Sequence, residues 1–383
     1  MKEINIAKVL VTKRREKGVT QDELANYIGV SKASVSKWET GQSYPDVTFL
    51  PLLAAYFDIT IDELMDYQPQ MPKENIRKQY QRLSADFAAK PFHAVLEDLR
   101  QLIKKYYSCH PLILQMGILL INHLELAGGR EEQAELIAEA KALFVRVREE
   151  SEDVQLARQA QYMEALCCLS EGDANGVLER LGSTPAPVMP PEALLASAYQ
   201  MKGLPEEAKA VLQAGIYQSV VLLFNYFPAY MMLCANEPPE FQEALRRALS
   251  VSQTFDMKHL HPGVLVALYL SAAQGYVMQG NPEKAVDMLG QYADIVTGDI
   301  YPLRLKGDGF FNRLDAWLEQ LDLGTGLPRD EKTIRRSMAD AVVLNPAFTA
   351  LADDPKFQGI LARLKENAPE QRKEKKEGTR YVQ

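Results

Sequence analysis

One spacing recurs along this chain and limits what most of it can become. Ala196-x-x-Tyr199-x-x-x-Gly203-x4-Ala208 returns with identical spacing as Ala273-x-x-Tyr276-x-x-x-Gly280-x4-Ala285, and in weaker form as Ala165, Cys168, Gly172 and Val177. The small residue lets two helices approach closely, the tyrosine fills the groove beside it, and the glycine ends the first helix in a left-handed conformation. Gly129 to Ala134 fits the second half of the unit, and Ala94 and Ala244 hold comparable places in HAVLEDL and QEALRRAL. The anchors Ala94, Ala134, Val177, Ala208, Ala244 and Ala285 lie 31 to 43 residues apart. No such helical pair buries its apolar faces alone, so the pairs must stack. The spacing predicts an all-α solenoid of five or six units over 76–298, with one concave face. Helical patterns in FFNRLDAWLEQL and EKTIRRSMADAVV, then LNPAFTALADDPKFQGILARLK, read as a closing segment over 299–365 that covers the solenoid's apolar end. Residues 366–383 are almost wholly charged and polar and read as a disordered tail.

Ahead of the repeats stands TQDELANYIGVSKASVSKWETG, Thr20 to Gly41. Its apolar residues form two short helical stripes, Leu24/Ile28 and Val35/Trp38, separated by Gly29-Val30, which predicts two small helices meeting at a glycine turn. Thr20 and Glu23 make a capping box for the first helix, and Ser31 can cap the second. Burying Val35 and Trp38 leaves Lys32, Ala33, Ser36 and Lys37 on the opposite face: two ammonium donors, a hydroxyl and a small apolar group, with no carboxylate. Such a face can approach the base edges of a DNA major groove. A helix over Ile4 to Lys17, one from Asp46 through Phe57 and a short one over Ile61 to Met65 complete a five-helix domain at 1–66. The segment YQPQMPKEN, 67–75, has two prolines and no periodicity and reads as a linker.

These residues resemble the helix-turn-helix of the phage-repressor/Cro type, the XRE family. Counting from Gln21, that pattern wants a small residue fifth, glycine ninth and apolar residues at positions four, eight, ten, fifteen and eighteen. Here they are Ala25, Gly29, Leu24, Ile28, Val30, Val35 and Trp38. The resemblance implies that Gln21, Ser31 and Ser34 contact phosphates while Lys32, Ala33, Ser36 and Lys37 face base edges. The repeat spacing resembles the tetratricopeptide repeat. Together the two parts resemble, in architecture, the peptide-sensing transcription regulators of Gram-positive bacteria.

Charge divides along the same boundary. The whole chain of 383 residues carries a formal net charge of −8, but Met1 to Gly41 holds eight Lys/Arg against five Asp/Glu, with Lys13, Arg14, Arg15 and Lys17 clustered at the end of the first helix. From Tyr67 onward there are 35 Lys/Arg against 41 Asp/Glu, an acidic remainder that a phosphate backbone repels. No run approaching twenty apolar residues and no signal-peptide profile are found, so the expected location is the cytoplasm. Cys109, Cys167, Cys168 and Cys234 lack metal-ligand spacing and read as reduced core residues. His259-x-His261 has no nearby ligand cluster, and no GxxxxGK[ST], GxGxxG or GxSxG motif occurs. The reading is therefore no metal, no cofactor and no enzyme.

The concave face of such a scaffold is where extended peptides bind, and the candidate ligand-binding residues are Ser197, Gln200 and Gln274, placed there by the repeat alignment, with Tyr162 from the weaker copy and Asn225, Tyr226 and Tyr230. Asn225, Tyr226 and Tyr230 belong to IYQSVVLLFNYFPAYMMLC, the most aromatic helix of the chain. An asparagine buried there would need a partner. Two functions compete. In the first, a sequence-specific DNA-binding regulator carries a repeat domain that senses a peptide or small-molecule effector, mediates homodimerisation, or both. In the second, the repeats are a constitutive dimerisation or protein-interaction scaffold with no effector.

Overall fold

A computed structural model describes residues 5–67, 69–185, 187, 189–326 and 328–368, and among these every regular element is helical. The expected tail lies outside the described residues from position 369 onward. Five helices form the N-terminal domain: α1 (Ile6–Glu16), α2 (Gln21–Ile28), α3 (Lys32–Glu39), α4 (Leu50–Phe57) and α5 (Ile61–Met65). Their core is Ile6, Leu10, Leu24, Ala25, Ile28, Val35, Trp38, Leu53, Ala54, Phe57 and Leu64. Both capping boxes are present, Thr20 with Glu23 and Thr60 with Glu63, and each carboxylate is held below the ordinary range by the backbone N–H of its threonine.

The second part runs through α6 (Lys73–Ala89), α7 (Phe92–Lys105), α8 (His110–Asn122), α9 (Arg130–Glu150), α10 (Val154–Ser170), α11 (Ala174–Leu181), α12 (Glu192–Met201), α13 (Pro205–Leu233), α14 (Pro238–Thr254), α15 (Met257–Leu260), α16 (Pro262–Met278) and α17 (Pro282–Val296). It ends in α18 (Asp315–Leu318), α19 (Glu331–Val343) and α20 (Pro355–Asn367). The expected linker is shorter than its sequence suggested, because α6 already begins at Lys73 and buries Ile76 and Tyr80. At the other end α20 reaches Asn367, whose side chain donates to the Val296 carbonyl at 2.9 Å.

The repeat template describes part of this array. Gly172, Gly203 and Gly280 all end a helix at positive φ, between α10 and α11, α12 and α13, and α16 and α17. Ala196, Ala208, Ala273, Ala285 and Ala244 are buried as the close-approach positions require. Ala94 and Ala134 are not: both are exposed, and α7 buries Val95, Leu96, Leu99 and Ile103 instead. The register also fails where two expected helices fuse. α13 is one helix of 29 residues that continues through Gly215 and Pro228, since neither residue is followed by a second turn signal. By length and composition α13 is long and apolar enough to cross a membrane, contrary to the sequence expectation. It packs within the array, burying Ala208, Ala214, Tyr217, Val220, Phe224 and Met231.

Two apolar cores result, one from α6 to α10 and one from α13 to α20. Between them α11 and α12 bury little beyond Gly176 and Ala196. Glu164 of α10, wholly buried, is neutralised there by Arg148 of α9 at 2.8 Å and by Arg180 of α11. The closing segment does two things. α20 covers the end of the array, with Phe357, Ile360 and Leu364 joining the core of α16 and α17. Residues 319–326 and 328–329 instead cross back to the start: Arg77 of α6 binds carbonyls of Glu319, Leu321 and Asp322, and Arg329 pairs with Glu125 at 2.8 Å. Only Asp315–Leu318 of the expected FFNRLDAWLEQL helix is helical.

Candidate nucleic-acid interface

α2 and α3 meet at Gly29, whose φ of 81° and N–H to the Ala25 carbonyl close the turn. Ser31 caps α3 by accepting from the Ser34 N–H at 3.2 Å, and the two hydroxyls lie 2.9 Å apart. Val35 and Trp38 point into the core at 0% and 6% exposure, the indole tilted against Phe49 with centroids 5.9 Å apart. The burial of that stripe leaves Lys32, Ala33 and Lys37 outward and exposed, with Ser34 and Ser36 half-buried at its margins. Lys37 makes no ion pair among the described residues, whereas Lys32 reaches back to Asp22 at 2.6 Å. An exposed pair of this kind is worth little and yields readily to a phosphate.

Gln21 is only partly available. Its amide donates to Glu39 at 2.8 Å, and that carboxylate is also gripped by Arg14, Nε to Oε1 at 2.5 Å and Nη2 to Oε2 at 2.9 Å. Arg14 completes the arrangement by donating to the Val19 carbonyl at 2.9 Å. One carboxylate thus ties α1, the start of α2 and the end of α3 together. Burial pushes the Glu39 carboxyl up, but the hydrogen bonds from Arg14 and Gln21 outweigh it and hold the group below the ordinary carboxylate range.

This clamp and its neighbours occupy most of the basic cluster at the end of α1. Arg14 is consumed by Glu39, Lys13 pairs with Glu16 at 2.9 Å, and Lys17 bonds to the Tyr56 carbonyl and lies 4.1 Å over its ring. Arg15 remains exposed. Complementary charges on different helices leave no periodic mark, so sequence reasoning could not pair Arg14 with Glu39.

In the second part, Tyr162, Ser197, Gln200, Asn225, Tyr226 and Tyr230 are exposed and Gln274 is half-buried. Asn225 is therefore not the buried amide the sequence suggested: it lies on the outer side of α13 while Phe224 beside it is 1% exposed. None of the seven lines either of two cavities found in this part, an open groove of about 610 Å³ between α14, α16, α17 and α20, and a narrower one of about 320 Å³ beside α6 and α8. The four cysteines are free and buried. Among the described residues, Cys234, Glu237 and Glu240 bring ligand atoms within 4.8 Å of one another, a grouping on α14's entry turn that the sequence reading did not pick out. Cys234 Sγ lies 3.8 Å from Glu240, which itself accepts from Tyr230 at 3.5 Å, so the thiol and one carboxylate already satisfy each other.

Residues 10–64 match the family model described as helix-turn-helix. Over 52 residues the chain is 42% identical to the HTH-type transcriptional activator BcrR of Enterococcus faecalis, a match covering 14% of this chain and 26% of that protein. Among solved structures, the apo form of the competence regulator ComR from Streptococcus vestibularis is similar at 11% identity, covering 84% of this chain and 98% of that one with a TM-score of 0.27. ComR from S. thermophilus in complex with DNA and its signalling peptide ComS is similar at 14% identity, over 76% and 93% of the two chains, with a TM-score of 0.23. The N-terminal part of this chain is a helix-turn-helix domain of the repressor (XRE) type.

Proposed function

We propose that the chain is a sequence-specific DNA-binding transcription regulator that binds its operator as a homodimer and whose helical part responds to a peptide or small-molecule effector. One observation carries the DNA-binding reading: α3 presents Lys32, Ala33 and Lys37 outward from a closed core, with Ser31 and Ser34 at its N-terminal end and no carboxylate on that face. Lys32, Ala33, Ser36 and Lys37 read base edges, and Gln21, Ser31 and Ser34 hold phosphates.

One such helix offers too few side chains to select a site in a genome, and two half-sites read by a dimer overcome this. The outer faces of α11, α12 and α13 support that step. Leu178, Leu194, Met201, Tyr226, Tyr230 and Leu233 are 50–90% exposed there, and apolar surface on this scale marks an association site. Duplexes selected from a random pool by the wild-type protein provide the test. Lys32→Ala/Lys37→Ala should lose about 1–3 kcal/mol of discrimination for each base contact while keeping its melting temperature. Light scattering should report a dimer. Wild-type affinity of the double variant, or a monomer that still binds the selected duplex tightly, refutes the corresponding half.

A further inference from the structure

Residues 319–323 lie against the first helices of the second part, and Asp322 and Leu323 form one wall of the narrower cavity. Arg77 donates to the carbonyls of Glu319, Leu321 and Asp322 at 2.7, 2.6 and 3.0 Å, and Lys73 to that of Gln320 at 2.7 Å. The Asp322 carboxylate sits between two donors, with Lys73 Nζ 2.9 Å from Oδ1 and Gln115 Nε2 donating to Oδ2 at 2.9 Å. Gln115 is 7% exposed, so without an acceptor its amide would be a buried donor left unsatisfied. The cavity they border, about 320 Å³, is completed by apolar groups that include Ile76, Leu156 and Leu323 and by the polar Asp153, Gln155 and Gln159 of α10 and its cap. An apolar wall with a few convergent polar groups, at that volume, is what a small ligand requires.

We propose that this cavity is a site for a ligand with an apolar body and a terminal carboxylate, and that Asp322 occupies the anion position when no ligand is bound. The inference rests on the reading that the helical part takes an effector, and it names where and by what chemistry. An incoming carboxylate replaces Asp322 on Lys73 and Gln115, so the buried amide is never left without an acceptor. The exchange loosens 319–323 from α6, the helix that follows the DNA-binding domain in the chain. A peptide C-terminus and a small organic acid share this chemistry.

The test uses the full chain as wild type, Asp322→Asn and Gln115→Leu. Each is titrated by calorimetry with a pool of N-acetylated apolar pentapeptides as free acids, with the same peptides as C-terminal amides, and with hexanoate. Asp322→Asn removes the charge that competes for Lys73 while keeping the side chain's size, at a position partly exposed. It should bind free acids about tenfold tighter than wild type, because the competent state is more populated. Gln115→Leu should bind them at least about tenfold more weakly. Hydrogen exchange of the 319–323 amides should quicken when the acid is added to wild type. Binding by the peptide acids alone assigns a peptide, and by hexanoate alone a small acid. Amides that bind as well as acids, unchanged affinity in Asp322→Asn, or no binding of any acid by wild type and Asp322→Asn overturns the proposal. Operator binding measured without ligand separates this from the function above. A chain that shifts its operator yet ignores every acid loses only the cavity, and one that shows the Asp322 effect yet ignores DNA loses only the DNA reading.

Discussion

Glu39→Gln tests whether the DNA-reading helix is held by a charge clamp or by its core alone. In wild type the carboxylate takes two hydrogen bonds from Arg14 and one from Gln21, with side-chain exposures of 14% for Arg14 and 5% for Glu39. Removing one partner of a fully buried pair costs about 3–5 kcal/mol, whereas an exposed pair contributes about 0–1. Arg14 keeps the Val19 carbonyl, and the glutamine oxygen still accepts one bond, so the expected cost lies between these limits at about 2 kcal/mol. For a domain of this size that lowers the melting temperature by about 10 °C. Trp38 is the adjacent residue and one of only two tryptophans, so its fluorescence in a Trp317→Phe background follows this domain. The sign of the pH dependence follows from the depressed carboxyl pKa. A group of that kind contributes stability above its unfolded pKa and loses it as pH falls through the folded value. The gap between wild type and Glu39→Gln should therefore be full at neutral pH and close as pH drops below the ordinary carboxylate range. A gap that is absent at neutral pH, or that persists unchanged in acid, refutes the clamp.

Trp38→Ala should cost about 3–5 kcal/mol and unfold the N-terminal domain, as expected for a 6% exposed indole seated against Phe49. A variant that retains its domain transition by circular dichroism yet loses DNA would mean that the α3 face is wrongly assigned. Gly275→Ala in α16 would place a Cβ 2.2 Å from the Phe241 ring, within the pair formed by Phe241 and Tyr276. Overpacking there should cost about 1–3 kcal/mol in urea unfolding, and Gly290→Ala, which meets nothing within 4 Å, should not destabilise.

The helix-turn-helix was legible in the sequence because each decision in it is local. Thr20 with Glu23, Gly29 at positive φ, Ser31 before α3 and the Val35/Trp38 stripe all act within one or two turns of chain. The same holds for Gly172, Gly203 and Gly280, whose missing Cβ marks a turn wherever it stands. Tertiary structure decided what depends on partners far apart in sequence. Pairing Arg14 with Glu39 turned a basic cluster into a clamp, and Asp322 found Lys73 and Gln115 across more than 200 residues. Asn225 faces solvent because the stripe that α13 buries runs through Phe224, a choice made by α14 and α16. Ala94 and Ala134 matched the repeat spacing yet lie exposed, since a spacing states which residues share a face and only packing states which face is covered.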